Sequence, residues 1–252
     1  ALIDKSDGGL RPITLLRAVY RVHAAIRAEA VRSWAGNLDI PTINLAAGRQ
    51  VTDATYRLLI SKACVRIKIQ AMQPRTCFGD IRKAFEHVER DILWETGKAN
   101  GYPMDILRLS LAPYGWERML SMGLMVSRRI SPTRGIAAGS AFATFELTLY
   151  LLDLMKQHKE ECPEVTLSVH VDDFSQSAIA STEEEVVDKL KQSTDCVLKA
   201  LKALNMPLAE DKSQIVATTP GLARQLLITI GPDAGSITDQ AKRLGVDYAM
   251  SK

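Results

Sequence analysis

The sequence predicts an α+β fold in which strands from distant segments share one sheet and helices pack behind it. Three observations predict this. Strand-like and helix-like segments follow one another in the order β-α, α, β-β, α, β rather than as a strict βαβ alternation. The stretch "LSVHVDDFSQSA" at 167–178 alternates apolar and small polar residues on both sides of Asp172 and Asp173, as a β-hairpin does. The chain has 252 residues, 46% hydrophobic and 24% charged, which suffices for a sizeable core in one large domain or two lobes.

Taken in order, "ITLLRAVYRVHAAIRAEAVRSWAG" (13–36) carries Leu16, Val19, Tyr20, His23 and Ile26 at the spacing of one helical face, and Gly36 suits its end. His23 on that face reads as a packed imidazole rather than a ligand. "VRIKIQA" alternates like a strand. "TCFGDIRKAF" is an apolar strand running into a helix, "KAFEHVERDILWETGKANG", closed by Gly101. "SRRISPTRGIAAGSAFATFELTLYLLDLMKQH" reads as strand, glycine turn and long helix. After the hairpin, the segment from Ser181 is acidic at its start and basic later, as a surface helix aligned with its own dipole should be. A strand "KSQIVAT" and a tail "AKRLGVDYAMSK" complete the chain.

Charge and composition narrow the function classes. The net charge is +3, and the basic groups are concentrated before residue 76, where Lys5, Arg11, Arg17, Arg21, Arg27 and Arg32 are followed by six more against Asp4, Asp7, Glu29, Asp39 and Asp53. Such clustering suits a polyanion, because lysine and arginine neutralise phosphates and release counterions; a solvated basic helix face is the alternative. No run of 18 apolar residues occurs, so no membrane span is expected. Cys64, Cys77, Cys162 and Cys196 have no metal-ligand spacing, which points to free thiols in a reducing, intracellular setting. The chain opens on Ala1 without an initiator Met or an apolar leader, and a piece of a longer protein is the expectation.

The adjacent carboxylates at the hairpin tip have two readings. Asp is a turn former, and strand-Asp-Asp-strand needs no further reason. Alternatively, two metal ions about 3.5–4 Å apart can activate a 3′-hydroxyl and steady a leaving pyrophosphate, and hard oxygen ligands from separate strands suit them. That site needs a third carboxylate on a neighbouring strand. Asp80, at the end of the strand in "CFGDIRKAF", offers one; its other reading is a helix N-cap before "IRKAFEHV". Three clustered acids without a cation would repel and take up protons, so their convergence would itself argue for a metal.

The ordered blocks "GGLRPITLLRAVYRV", "FGDIRKAFEHV", "RGIAAGSAFATFELTLY", "HVDDF", "LNMPLAEDKS" and "RLGVDY" resemble the reverse transcriptases of non-LTR retrotransposons and group II introns, from about Lys5 to about Tyr248. The resemblance implies a right-hand polymerase with fingers (1–75 and about 96–134) and palm (76–95 and 135–252), an antiparallel palm sheet backed by helices, and a thumb not included. It implies RNA-directed DNA polymerase activity with two Mg²⁺ ions, or Mn²⁺, an RNA template, a DNA or RNA primer, dNTPs, and flanking thumb and other domains of a longer polyprotein. By the same resemblance Asp80, Asp172 and Asp173 are metal ligands together with the carbonyl of Ile81, and Lys212 protonates pyrophosphate. Lys5 and Arg11 hold the triphosphate, Gly139 and Ser140 lie under the nascent base pair, and Leu244 and Gly245 grip the primer end. Phe85 lies where a 2′-hydroxyl would clash and so selects deoxynucleotides; its helical spacing with Val88 and Ile92 also fits a core role.

Two departures stand out. Ala137 and Ala138 replace the family's Pro-Gln, and His170 stands where an aromatic residue usually begins the hairpin. Beside the polymerase reading, the sequence therefore also admits a decayed or domesticated copy that only binds nucleic acid. An RNA-dependent RNA polymerase is disfavoured by Phe85.

Overall fold

The computed structural model describes residues 2–4, 10–38, 75–209, 212–217, 220–231, 235–238, 240–243 and 246–249. Lys5, Leu244, Gly245, Cys64 and the expected strand at 65–71 lie outside the described residues. The chain divides into two compact units, Ala1–Leu38 with Lys83–Leu152 and Asp39–Arg82 with Asp153–Lys252.

The first unit is mainly helical. A short antiparallel ladder, β1 (Leu2–Asp4) with β2 (Leu10–Pro12), precedes α1 (Ala18–Gly36). The sequence predicts helix from residue 13, but the helix starts at Ala18; in the segment before it, the Thr14 N–H donates to the Ala138 carbonyl at 3.0 Å. The expected helical face is also corrected. Val19 and Ile26 are exposed, and the buried line runs through Ala24, Val31 and Trp34. Trp34 donates to the Asn100 carbonyl at 2.9 Å and meets the Tyr102 ring edge-on at 4.8 Å, so the far end of α1 is anchored by an aromatic rather than by aliphatic spacing. Arg17, Arg21, Arg27 and Arg32 all lie on exposed surface.

The single helix expected after Asp80 is two: α2 (Ala84–His87) and α3 (Arg90–Ala99), separated by extended backbone at Val88 and Glu89. The break frees carbonyls for the glycine turn, with Gly135 N–H donating to Val88 and Ile136 N–H to Phe85, both at 2.8 Å. Arg90 ties the same turn down, donating to the carbonyls of Gly135, Arg134 and Tyr114 at 2.8–2.9 Å. After α4 (Met104–Tyr114), the expected strand near 127–130 is reduced to the two-residue pair β4 (Ser121–Met122) and β5 (Met125–Val126), with one further bridge between Arg118 and Ile130. The expected long helix is α5 (Ala143–Tyr150) followed by α6 (Leu152–Glu161). The interruption is one residue wide, and Leu151 keeps its N–H bonded to the Leu147 carbonyl.

The second unit is a five-stranded sheet in the order β6-β7-β3-β8-β9: β3 (Arg75–Asp80), β6 (Val165–His170), β7 (Asp173–Ala178), β8 (Gln214–Val216) and β9 (Ser236–Ile237). All pairings are antiparallel except β8 with β9, which is parallel. Val165, Leu167 and Val169 alternate inward along β6, as a half-buried strand requires. Behind the sheet lie α7 (Glu183–Ala203) and α8 (Pro220–Ile230), whose Val186, Leu190, Leu222 and Leu226 pack with Val165 and Ile215 in one core. At the start of α7 the Thr182 hydroxyl accepts from the Glu185 N–H, and the Glu185 carboxylate accepts from the Ser181 N–H. This reciprocal cap explains the acidic start. Cys77, Cys162 and Cys196 are buried free thiols. A last hairpin pairs β10 (Gln240–Arg243) with β11 (Val246–Ala249). Among the described residues no helix is long and apolar enough to cross a membrane.

Candidate active site

The sheet of the second unit brings the predicted acids together. β3 and β7 pair so that Asp80 is the direct partner of Asp173, and His170 partners Asp173 across the hairpin. Directly opposed residues of an antiparallel pair project to the same face, so the two carboxylates share it. Asp172 occupies the turn, where its carbonyl accepts the Ile81 N–H at 2.9 Å.

Two glycine-like demands fix this register. A Cβ at Gly79 would fall 2.1 Å from the Phe174 ring, so only glycine lets that ring lie across β3 beside the acids. Val171, the first turn residue, has φ +59, where two-residue hairpins favour glycine; a β-branched residue there costs on the order of 1–3 kcal/mol. Sequence patterning alone does not mark Gly79 or Phe174. The signal was the adjacency of "FG" to Asp80 and of "DDF" to the turn.

The far end of β3 is clamped from the other side. Ala209 N–H donates to the Asp80 carbonyl and Arg82 N–H to the Pro207 carbonyl, both at 2.9 Å. This segment leads into Lys212, whose Nζ lies 3.2 Å from Asp80 Oδ2. Asp80, over ninety residues from Asp172, is 9% exposed, and Lys212 is exposed.

The electrostatics follow from the crowding. Burial raises the Asp172 carboxyl, the Asp173 and Asp80 charges raise it further, and Lys212 and a backbone hydrogen bond oppose them. Burial lowers His170, against the pull of Asp172, so the imidazole is neutral at neutral pH; its Nδ1 is buried with no hydrogen-bond partner among the described residues. As the side chains stand, no three His, Cys, Asp or Glu groups among the described residues form a ready metal cage, and Asp80 faces Lys212 instead. The donor chemistry nevertheless suits a hard dication: two carboxylates on adjoining strands and a third in the hairpin turn, that third one held above its ordinary range by burial and, in part, by its neighbours' charge.

The remaining predicted residues fall elsewhere. Arg11 lies in β2, Phe85 is half-buried in α2, and Gly139 and Ser140 form part of the turn before α5, all in the first unit. Gly139 has φ +104, and a Cβ there would fall 2.9 Å from the Thr14 carbonyl, so glycine is required. Gly135, at φ +84, packs as closely on the Phe85 and Glu86 backbone. Ser140 is buried and its Oγ lies 3.0 Å from Tyr20 Oη. Of the departures, Ala137 is buried in the core and Ala138 gives its carbonyl to Thr14.

Comparison with known proteins yields one family and one fold. Residues 3–248 match the family described as "Reverse transcriptase (RNA-dependent DNA polymerase)". No curated protein matches the sequence. Solved structures with the same fold include telomerase from Candida tropicalis in complex with a fragment of telomeric RNA, at TM-score 0.61 and 12% identity over 88% of this chain and 41% of that one. The apo telomerase of Candida tropicalis truncated from its C-terminal domain aligns at TM-score 0.55 and 13% identity over 92% of this chain and 43% of its own. Telomerase from Candida albicans aligns at 0.55 and 9% identity over 80% and 36%. This chain therefore spans less than half the length of each, and the shared architecture is that of polymerase fingers and palm.

Proposed function

This chain belongs to the reverse transcriptase (RNA-dependent DNA polymerase) family, and we propose that it carries the polymerase centre of a retroelement, of the non-LTR or group II intron type, adding dNTPs to a primer 3′-OH on an RNA template. The pairing of Asp80 with Asp173, with Asp172 in the adjoining turn, carries the reading. Asp80, Asp172, Asp173 and the Ile81 carbonyl would hold Mg²⁺ or Mn²⁺. When bound, a pair of such ions lowers the pKa of the attacking hydroxyl and stabilises charge on the leaving pyrophosphate.

The chain's own groups do the rest by position and charge. Lys212, paired with Asp80 at 3.2 Å, exchanges that carboxylate for the pyrophosphate oxygens and donates a proton there. Arg11, with Lys5, clamps the triphosphate, since guanidinium matches phosphate oxygens bidentately. Gly139 and Ser140 lie under the nascent base pair, the glycine there making room for the Thr14 carbonyl, and Phe85 excludes a 2′-hydroxyl. Leu244 and Gly245 steady the primer end. An RNA–DNA duplex is held through shape and backbone, so binding falls steeply with salt and shows little base preference.

Primer extension with dNTPs, Mg²⁺ or Mn²⁺ and an RNA template tests the reading. Product that vanishes in Asp172→Ala supports it. Efficient use of rNTPs, unchanged by Phe85→Ala, overturns the deoxynucleotide assignment. A second reading, nucleic-acid binding without catalysis, is favoured by Ala137, Ala138 and His170, which depart from the family pattern. It is supported if duplex binding persists while no condition yields product.

A further inference from the structure

In the first unit, α5 buries an acid inside an otherwise apolar run. Glu146 has no exposed surface. Its Oε2 accepts from Tyr114 Oη at 2.7 Å, and its Oε1 is hydrogen-bonded to Ser110 Oγ, which also lies 3.0 Å from the Leu107 carbonyl. Tyr20 Oη is hydrogen-bonded to Ser140 Oγ at 3.0 Å, and the Tyr114 hydroxyl lies close enough to both to influence their titration, so a file of hydroxyls runs from the carboxyl to the Gly139–Ser140 turn. Tyr102, whose buried hydroxyl has no hydrogen-bond partner among the described residues, feels the same charge. Among the described residues no basic side chain pairs with Glu146. Arg90 and Arg118 reach this neighbourhood only at the Tyr114 carbonyl, at 2.8 and 2.5 Å.

Burial raises the Glu146 carboxyl to about 7, against the opposing pull of its Ser110 and Tyr114 hydrogen bonds. Counting protons shows how both forms are accommodated. Ser110 has one hydroxyl hydrogen and two acceptors. With Glu146 neutral, Oε1–H donates to Ser110, and Ser110 donates to the Leu107 carbonyl. With Glu146 ionised, Ser110 turns its hydrogen to Oε1. Tyr114 donates to Oε2 in both forms, but only the ionised form makes that bond charge-assisted, roughly twice as strong. A firmly donating Tyr114 is a better acceptor for the hydroxyls behind it.

We propose that Glu146 is a positioning residue for the Gly139–Ser140 turn: its carboxylate holds Tyr114 as a donor, Tyr114 and Tyr20 hold Ser140, and the turn grips the incoming nucleotide only while that chain is taut. The proposal rests on the reading of this turn as a substrate contact. Nucleotide affinity then rises with pH as Glu146 ionises.

The test is nucleotide affinity of the intact protein on a chain-terminated primer–template, measured by fluorescence competition without turnover from about pH 5.5 to 8.5. Affinity for a dNTP should strengthen about three- to tenfold across the range, the span of one hydrogen bond gained or lost. Glu146→Gln should flatten the profile at the weak value. Tyr20→Phe should flatten it too, while the infrared carboxyl band of Glu146 still titrates; a loss of packing would not separate these two readouts. A pH step that persists in both variants overturns the proposal, as does its absence in the unaltered protein. If nucleotide binds with the step intact but primer is never extended, the polymerase reading fails and this one stands. If nucleotide does not bind at all, both fail.

Discussion

The two units bury acids in opposite ways. In the first, Glu146 is enclosed on every side and its charge is met by hydroxyls from α4. In the second, Asp80, Asp172 and Asp173 gather where the paired β3 and β7 end, Lys212 stands against Asp80, and Asp172 is held up by burial and in part by its neighbours' charge. An acid satisfied from within needs no visitor. Neighbouring acids at the rim of a sheet are eased by positive charge, which Lys212 supplies to Asp80 at 3.2 Å. The contrast separates a residue whose partners are the chain's own groups from the residues proposed to hold a cation.

The largest expected effect breaks the contrast on the open side. Asp80→Asn or Asp172→Asn should lower primer extension by at least about a thousandfold, the scale of losing several kcal/mol of transition-state charge stabilisation, with circular dichroism unchanged. On the enclosed side the effect appears in stability instead. The folded Glu146 carboxyl stands at about 7, above its unfolded value, so its contribution is full below the unfolded range and is lost as pH rises through about 7. Urea titrations of Glu146→Gln against the unaltered chain should reveal a pH-dependent difference on the order of 3 kcal/mol between pH 4 and 8. A difference that does not change with pH would show that the carboxyl ionises as freely folded as unfolded.

Register supplies smaller effects. Gly79→Ala drives a methyl into the Phe174 ring beside the acids, and overpacking of this kind costs about 1–3 kcal/mol, read as a lower Tm. His158, buried and hydrogen-bonded through Nε2 to Ser193 at 2.7 Å, is held below its usual range by burial, against Glu161. Its stabilising contribution is present above the unfolded value and lost as pH falls below about 6.5, so His158→Gln should make the acid limb of the Tm profile shallower. The smallest change is a gain. Val171→Gly relieves the left-handed turn residue and should raise stability by about 1 kcal/mol.

What the sequence disclosed depended on how local the cause was. The hairpin around Asp172 was legible because period-two alternation and a turn pair are written within twelve residues, and α7 because its cap and charge gradient lie within its own span. Asp80 was legible as a strand end. The late start of α1, the break at Val88 and the turn at Gly135 were not, since each goes with a backbone hydrogen bond to a segment 47 to 124 residues away in sequence. Glu146 was invisible for the same reason: Ser110 and Tyr114 stand 36 and 32 positions before it, and nothing in "TFELTLY" signals them. The exposed Val19 and Ile26 show that helical spacing locates a face without saying what covers it.

The paired ends of β3 and β7 are proposed to bind a divalent cation at the primer terminus. Electron paramagnetic resonance of Mn²⁺ with the protein, primer–template and a non-hydrolysable dNTP tests it directly. Bound Mn²⁺ is expected in the unaltered protein and its loss in both Asp80→Asn and Asp172→Asn; an identical bound signal in all three, or none in the unaltered protein, would rule the cation site out.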